Sequence, residues 1–291
     1  MDGLQLSDET QAATKLLVDY VSTAESGSSD AVEPHFSPEI EHKIFVIAFQ
    51  DDLDMRNVGN LLLVSKRVYE WLIPLVYEIV IIYPFHNWPP MGSLSQNLPR
   101  HGKHVRHLLL NLGEEKYLTH CLNLVDLCLV DWDDSLDLSR VLASLNITQL
   151  AINLDELPKA PDLIQFCANV THLDCAYHDW QHFVGPSRWF SYFSNLTHLM
   201  VLSDRGAERE DLLVQQILQQ LVKLQVLIFC TYRGSGDELQ ELEVKDVWGD
   251  PRVVHLSLRF PCHWKTAAQG GPSHWRFAEE IVERRRDRQR M

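Results

Sequence analysis

Across the second two thirds of the chain, apolar positions recur in one phrase: an apolar residue, a leucine three positions on, and another apolar residue two beyond it. The triplets are Val105, Leu108, Leu110; Leu124, Leu127, Leu129; Ile147, Leu150, Ile152; Val170, Leu173, Cys175; Leu196, Leu199, Val201; Leu224, Leu227, Phe229; and Val253, Leu256, Leu258. Successive central leucines are separated by 19, 23, 23, 26, 28 and 29 residues, and an eighth copy, Val76, Ile79, Ile81, precedes the first by 29. The last two positions of each triplet are two apart and share one face of a strand. Between them, "DLSRVLASL" (137–145), "SRWFSYFS" (187–194) and "REDLLVQQILQQL" (209–221) place apolar residues three and four apart, the spacing of a helix. The pattern predicts alternating strands and helices whose apolar faces are buried between neighbouring units.

This L-x-x-L-x-L rhythm at a period of roughly 20 to 29 resembles the leucine-rich repeat. The resemblance implies an α/β fold of a particular kind, an irregular ribonuclease-inhibitor-like horseshoe over residues 76–262. A doubly wound sheet is the structural rival. Its units usually need about 30 or more residues, and no glycine-rich phosphate loop follows any strand, so the horseshoe is the expected form. The asparagine of the regular repeat is replaced by Gly113, Trp132, Asp155, His178, Asp204, Tyr232 and Pro261, which predicts uneven curvature. Three N-x-T sequons, at Asn146, Asn169 and Asn195, fall together with Asn123 immediately before the first apolar residue of a unit. They read as strand-entry turn residues that bond their own chain, with Thr148, Thr171 and Thr197 opening the strands.

In front of this region, residues 35–82 begin "HFSPEIEHKIF". Ser37 is placed to cap a helix, Pro38 suits its first position, and Glu39 and Glu41 complement the positive end of its dipole. A second helix is predicted from about Val58, with Leu61, Val64, Val68, Trp71 and Leu72 on its buried side and Pro74 ending or kinking it. The phrases "FSPEIEHKIF" and "NLLLVSKRVYEW" resemble the F-box, the helical module that docks on a Skp-family adaptor of SCF ubiquitin ligases. The resemblance spans about 45 residues and departs from the family at Ser37, where a proline is usual, and at Phe36, where a leucine is. It implies that Phe36, Pro38, Ile40, Ile44, Leu53, Leu61, Val64, Val68 and Trp71 are adaptor-facing or core positions. An F-box-like module followed by leucine-rich repeats is a recurrent architecture, and the closing segment also resembles the ends of divergent fungal proteins of that kind.

The expected organisation is therefore an acidic leader at 1–34 holding a possible short helix "ETQAATKLLVDYV", the helical module at 35–75, the repeats at 76–262, and a C-terminal helix with a basic tail at 263–291. In that last helix Trp275, Ala278, Ile281 and Val282 form the apolar side that seals the final strand, and Arg284, Arg285, Arg286, Arg288 and Arg290 lie toward its end.

A net charge of −14 argues against a surface that neutralises nucleic-acid phosphates. The N-terminus has no basic stretch followed by an apolar core, and the most apolar run, "WLIPLVYEIVIIYPF", is broken by Glu78 and two prolines. Neither a signal peptide nor a membrane span is expected. Six cysteines without a C-x-x-C pair suit small buried hydrophobes in a reducing, cytoplasmic or nuclear setting, where the sequons carry no sugar.

His107, His172, His198 and His255 share one slot, just before the central leucine. With Asp126, Gln149, Asp174 and Met200 they are predicted to line an exposed sheet face that holds a target protein. His172, Cys175, His178 and His182 have a zinc-like spacing, but Cys175 is expected to face the core and His172 the other way, so no metal and no cofactor are anticipated. The sequence lacks a G-x-S-x-G elbow, a P-loop and H-E-x-x-H. The reading is a non-catalytic substrate receptor that joins a target to a Skp-family adaptor and, through it, to a cullin scaffold. A scaffold with no role in ubiquitination and a metalloenzyme centred on 172–182 are the alternatives.

Overall fold

The computed structural model describes residues 36–51, 57–83, 86–89, 94–111, 115–130, 139–153, 163–176, 190–202, 211–232, 240–241, 249–258 and 262–291. The leader, Leu53, His178 and His182 lie outside the described residues. These residues divide into two compact units, one ending at Tyr77 and including Pro89, the other holding 78–88 and the chain from 93 onward.

The first unit consists of α1 (Pro38–Asp51), α2 (Val58–Leu63) and α3 (Lys66–Val76). Glu39 and Glu41 stand in the first turn of α1, and the Ser37 carbonyl accepts from the Ile40 and Glu41 amides. The single helix expected from Val58 is two helices. Ser65 takes extended backbone and its hydroxyl accepts from the Val68 amide at 3.2 Å, starting a new helix by the usual N-cap bond. Pro74 neither ends α3 nor stops the next turn, because α3 continues to Val76 and the Tyr77 amide still reaches the Ile73 carbonyl at 3.1 Å. Val58, Val68, Leu72 and Val76 are buried. Trp71 meets His42 edge-on at 5.2 Å and lies under the Arg67 guanidinium, while Arg67 pairs with Glu41 of α1.

The second unit is built on a ten-stranded sheet. In chain order its elements are β1 (Ile79–Tyr83), β2 (His86–Trp88), α4 (Leu94–His101), β3 (His107–Asn111), β4 (Asp126–Val130), α5 (Ser139–Ala143), β5 (Gln149–Asn153), α6 (Leu163–Asn169), β6 (His172–Ala176), β7 (His198–Leu202), α7 (Asp211–Gln220), β8 (Val226–Tyr232), β9 (Gln240–Glu241), β10 (Val253–Leu258), α8 (Cys262–Ala268) and α9 (His274–Arg290). The spatial order is β2-β1-β3-β4-β5-β6-β7-β8-β10-β9. From β1 through β10 the neighbours are parallel, and β2 and β9 add an antiparallel strand at each edge.

One face carries the central leucines. Leu108, Leu127, Leu150, Leu173, Leu199 and Leu227 stand side by side in register, each at most 2% exposed. The connecting segments contribute Leu142, Phe166, Phe193 and Ile217, also buried. Leu199 is fully buried within this row, so Leu199→Ala is expected to cost about 2 to 5 kcal/mol by opening a cavity, read as a lower urea midpoint at unchanged slope.

The opposite face is covered too. Val226, Ile228 and Cys230 of β8 and Val254 and Leu256 of β10 form a buried cluster with Trp275, Ala278, Ile281 and Val282 of α9. The apolar side of α9 is thus the one expected, but it lies on the sheet face. Further along the same face, Trp264 of α8 donates to Asp126 of β4 at 3.4 Å, and Lys265 stands 3.4 Å over the ring of Trp88.

The expected architecture, an irregular leucine-rich-repeat horseshoe preceded by a small F-box module, is therefore corrected. A horseshoe leaves one strand face bare as its concave surface; here that face lies beneath α8 and α9, and antiparallel strands close both edges. The fold is a mixed, mostly parallel α/β sheet, Rossmann-like in setting helices against both faces, although its strands succeed one another without a reversal of order. Two strands also depart from the leucine rhythm by an odd number of positions, β1 by one and β10 by three. Val80, not Ile79, pairs with Leu108, and Val253, not Leu256, pairs with Leu227. A shift by an odd number of residues moves every side chain of a strand to the other face.

The strand entries are tied together by side chains. The hydroxyl of Thr148 donates to the Val125 carbonyl at 3.3 Å, Thr171 to Thr148 at 3.1 Å and Thr197 to Thr171 at 3.1 Å. The Asn123 amide donates to Lys103 and that of Asn195 to Ala168, at 2.7 and 2.9 Å. These two asparagines bond the preceding unit, not their own turn, so at Asn195–Thr197 the N-x-T phrase is a cross-strand clasp.

Candidate functional site

Each unit holds one candidate site. In the first unit, α1 reads PEIEHKIFVIAFQD, and none of its residues is buried. Ile40 is 50% exposed, and Leu63 and Val64 at the end of α2 are 84% and 57% exposed. Of the positions singled out from sequence, Pro38, Ile40 and Val64 are exposed, Phe36, Ile44, Leu61 and Trp71 are half-buried, and Val68 is core. The structure thus separates Val68, a packing residue, from the accessible apolar set.

In the second unit, a cavity of about 270 Å³ lies between the sheet and the C-terminal helices. Its floor is a polar row in register: His107, Asp126, Gln149 and His172, with Ala151 and Asp174 one step further along their strands. Its roof is Trp264, Ala267 and Ala268 of α8, Ser273 before α9, and His274, Trp275, Arg276 and Glu279 of α9. The cause is in the residues. The β8 and β10 end of this face is apolar and draws α9 down onto it, whereas the β3 to β6 end presents His, Asp and Gln and leaves a hollow.

The geometry of the hollow is specific. Asp126 is buried; its Oδ2 lies 3.3 Å from His107 Nδ1 and its Oδ1 receives the Trp264 indole. Burial pushes its carboxyl up, opposed by the contact with His107. The rings of His172 and His198 stack at 4.2 Å and 10°, and Trp275 meets both edge-on at 5.3 and 5.6 Å. Burial lowers each of these histidines to about 4, so both are neutral near pH 7. Thr171 and Thr197 hold their Nδ1 atoms at 2.9 and 2.8 Å, and His198 Nε2 is 3.0 Å from Glu279. His274, 5% exposed, makes no hydrogen bond through either ring nitrogen, nor does the buried Oδ1 of Asp174, 3.4 Å from His274 Nε2.

Of the eight residues predicted to line an exposed face, five come together at this cavity: His107, Asp126, Gln149, His172 and Asp174. Met200 is half-buried and packs against the cluster under α9, and His198 is buried beneath Glu279 and Trp275. His255 is on the opposite face, stacked on Phe229 at 5.6 Å, because β10 is shifted by three, an odd number. The sequence reading missed Trp264, His274 and Glu279. The tryptophans and histidines of the last 30 residues were the signal, but nothing local tells that they return to strands more than 100 positions earlier.

Cys175 faces away from His172, and among the described residues no group of three or more His, Cys, Asp or Glu is placed to hold a metal ion. Cys121, Cys128, Cys167, Cys175 and Cys230 are buried free thiols, and burial pushes the thiols of Cys121, Cys128, Cys167 and Cys175 up, which disfavours the nucleophilic thiolate. No helix among the described residues is long and apolar enough to cross a membrane. No family model, curated protein or solved structure matches the chain.

Proposed function

We propose that this chain is a substrate receptor of an SCF-type ubiquitin ligase: its front helices bind a Skp-family adaptor, joined to a cullin scaffold, and its α/β unit carries the target protein. The observation that supports the reading is α1, a helix with Ile40, Ile44, Phe45, Val46, Ile47, Ala48 and Phe49 and no buried residue. A helix so rich in apolar side chains is stable in water chiefly when a partner covers it. The F-box-like phrases on α1 and at the α2–α3 junction name the partner. Phe36, Pro38, Ile40, Ile44, Leu61, Val64 and Trp71 would face it, and Val68 would support them from the core.

In this reading the chain makes and breaks no bond; it raises the local concentration of target near the charged enzyme. The target is held by the α/β unit, where Gln149, His172 and Asp174 at the cavity are accessible in part and His198 is not. It is a reading for the cytoplasm or nucleus.

The test is capture of a purified Skp-family adaptor. The intact chain is expected to bind, and Ile40→Glu with Val64→Glu to weaken binding at least tenfold with little change in melting temperature, because both side chains are exposed. An intact chain that captures no adaptor would leave a scaffold unconnected with ubiquitination.

A further inference from the structure

The cavity of the α/β unit has open chemistry that the packing around it does not use. Most of its polar groups have partners: Asp126 has His107 and Trp264, Glu279 has His198, and Arg276 turns to Glu280 at 3.5 Å. What is left, in a chamber lined by the indoles of Trp264 and Trp275, is Asp174 Oδ1 and His274, buried and without hydrogen bonds: Nε2 stands 3.4 Å from Oδ1 without hydrogen-bond geometry, and Nδ1 has no hydrogen-bond partner. Buried polar atoms without partners are costly, about 1 to 3 kcal/mol each, and such groups call for a structural or functional cause.

The charge of the chamber selects what that is. Asp174 and Glu279 place acidic side chains on its wall, with Asp126 held by His107 and Trp264, against the single guanidinium of Arg276, and the stacked His172 adds no positive charge near neutral pH. Two indoles line it, and aromatic rings of this kind attract cations. The volume, about 270 Å³, equals roughly nine waters at ~30 Å³ each and lies at the small end of ligand sites. The chamber reaches solvent where Gly271, Arg276 and Glu279 are exposed.

We infer that this cavity is a binding site for a small organic cation, an ammonium or guanidinium group on a compact body, whose N–H groups reach Asp174 and His274 while its body lies against Trp264 and Trp275. The assignment rests on the cavity alone and is independent of adaptor binding. The same group could be carried by a free amine or by a basic side chain of a bound peptide.

Isothermal titration of the full chain with tyramine, 4-ethylphenol and 4-hydroxyphenylacetate compares one aromatic body with a cationic, neutral and anionic head; acetyl-Gly-Arg-Gly-amide is the peptide arm. Tyramine or the peptide is expected to bind at least tenfold more tightly than the neutral and anionic compounds. Tyramine alone assigns a free amine, and the peptide alone assigns a side chain. Asp174→Asn, which keeps the shape and removes the charge, is expected to erase that preference. Equal binding of all the compounds, no binding by tyramine or peptide, or a preference that survives in a folded Asp174→Asn chain overturns the assignment. The comparison of head groups on the unaltered chain stands even if the variant does not fold.

Discussion

Ending the chain after residue 272 is expected to make it aggregate. The deleted helix α9 covers Val226, Ile228, Cys230, Val254 and Leu256, all at most 2% exposed, and without it that patch of contiguous apolar sheet faces water beside the short edge strand β9. Uncovered apolar surface of this kind drives association, and a sheet face has no means of closing on itself. A milder form of the same change is Trp275→Ala. It removes an indole that is 7% exposed and touches His172, His198 and His274, at an expected cost of about 3 to 5 kcal/mol. Size-exclusion chromatography and urea unfolding read both. A truncated chain that elutes as the full chain does, with an unchanged midpoint, would show that α9 does not hold the sheet.

The second large effect is with acid. His172, His198 and His255 are each lowered to about 4 by burial, against an ordinary value of about 6.5. The unfolded chain therefore takes up these protons first. The stability tied to the neutral rings is complete above about pH 6.5 and is lost as pH falls from there toward 4. Asp174 and Glu279 face His172 and favour its charged form, whereas His198 and His274 oppose it; Arg285 opposes charge on His255. Glu279 touches His198 but is about half in solvent, so its field is screened and burial prevails. Allowing for that screening, each ring is worth on the order of 1 to 2 kcal/mol. The urea midpoint should fall steadily between about pH 6.5 and 4.5, above the range where ordinary carboxylates titrate. His172→Gln with His198→Gln should flatten that limb. A midpoint constant across this interval would mean that the rings are not neutral in the folded protein.

The strands of this protein are legible in its sequence because a leucine that returns every 19 to 29 residues, flanked each time by apolar positions in the same phase, marks a chain coming back to one buried sheet face. Of the returning helices, those expected at 137–145 and 209–221 are legible for the same reason, as is the apolar side of α9, whereas of "SRWFSYFS" residues 187–189 lie outside the described residues and 191–194 form turns. The cover on the second face was not legible. Leu227 and Phe229 announce burial on one side of β8, but Val226, Ile228 and Cys230 beside them announce burial on the other, and a horseshoe has no use for that. The continuous apolar run of β8, a mark of strands buried on both faces, was the available warning. At β1 and β10 the error was one of register: "EIVIIY" and "RVVHLSL" fit two phases of a two-residue period equally well, and only the neighbouring strand decides between them. Hence Ile79 and His255 exchanged faces. Ser65 gave a fair local signal, a serine three residues before a helical valine, that the front module is broken into two helices there. The cavity was half visible. The strand slot that contains His107, Asp126, Gln149 and His172 was found by its repetition, but Trp264 and His274 reach it only through tertiary folding.

The threonine and asparagine clasps fix β4 to β7 at their entries; at β5, β6 and β7 the hydroxyl of one unit meets the carbonyl of the unit before it. Because alignment is set at that end, the returning segments are relieved of any metric duty. Insertions and deletions downstream of a strand should be absorbed as larger or smaller loops, while a single residue added between Asn195 and Thr197 would detach the clasp and slide the strand across its neighbours. The unequal spacing of the leucines is what such tolerance leaves behind.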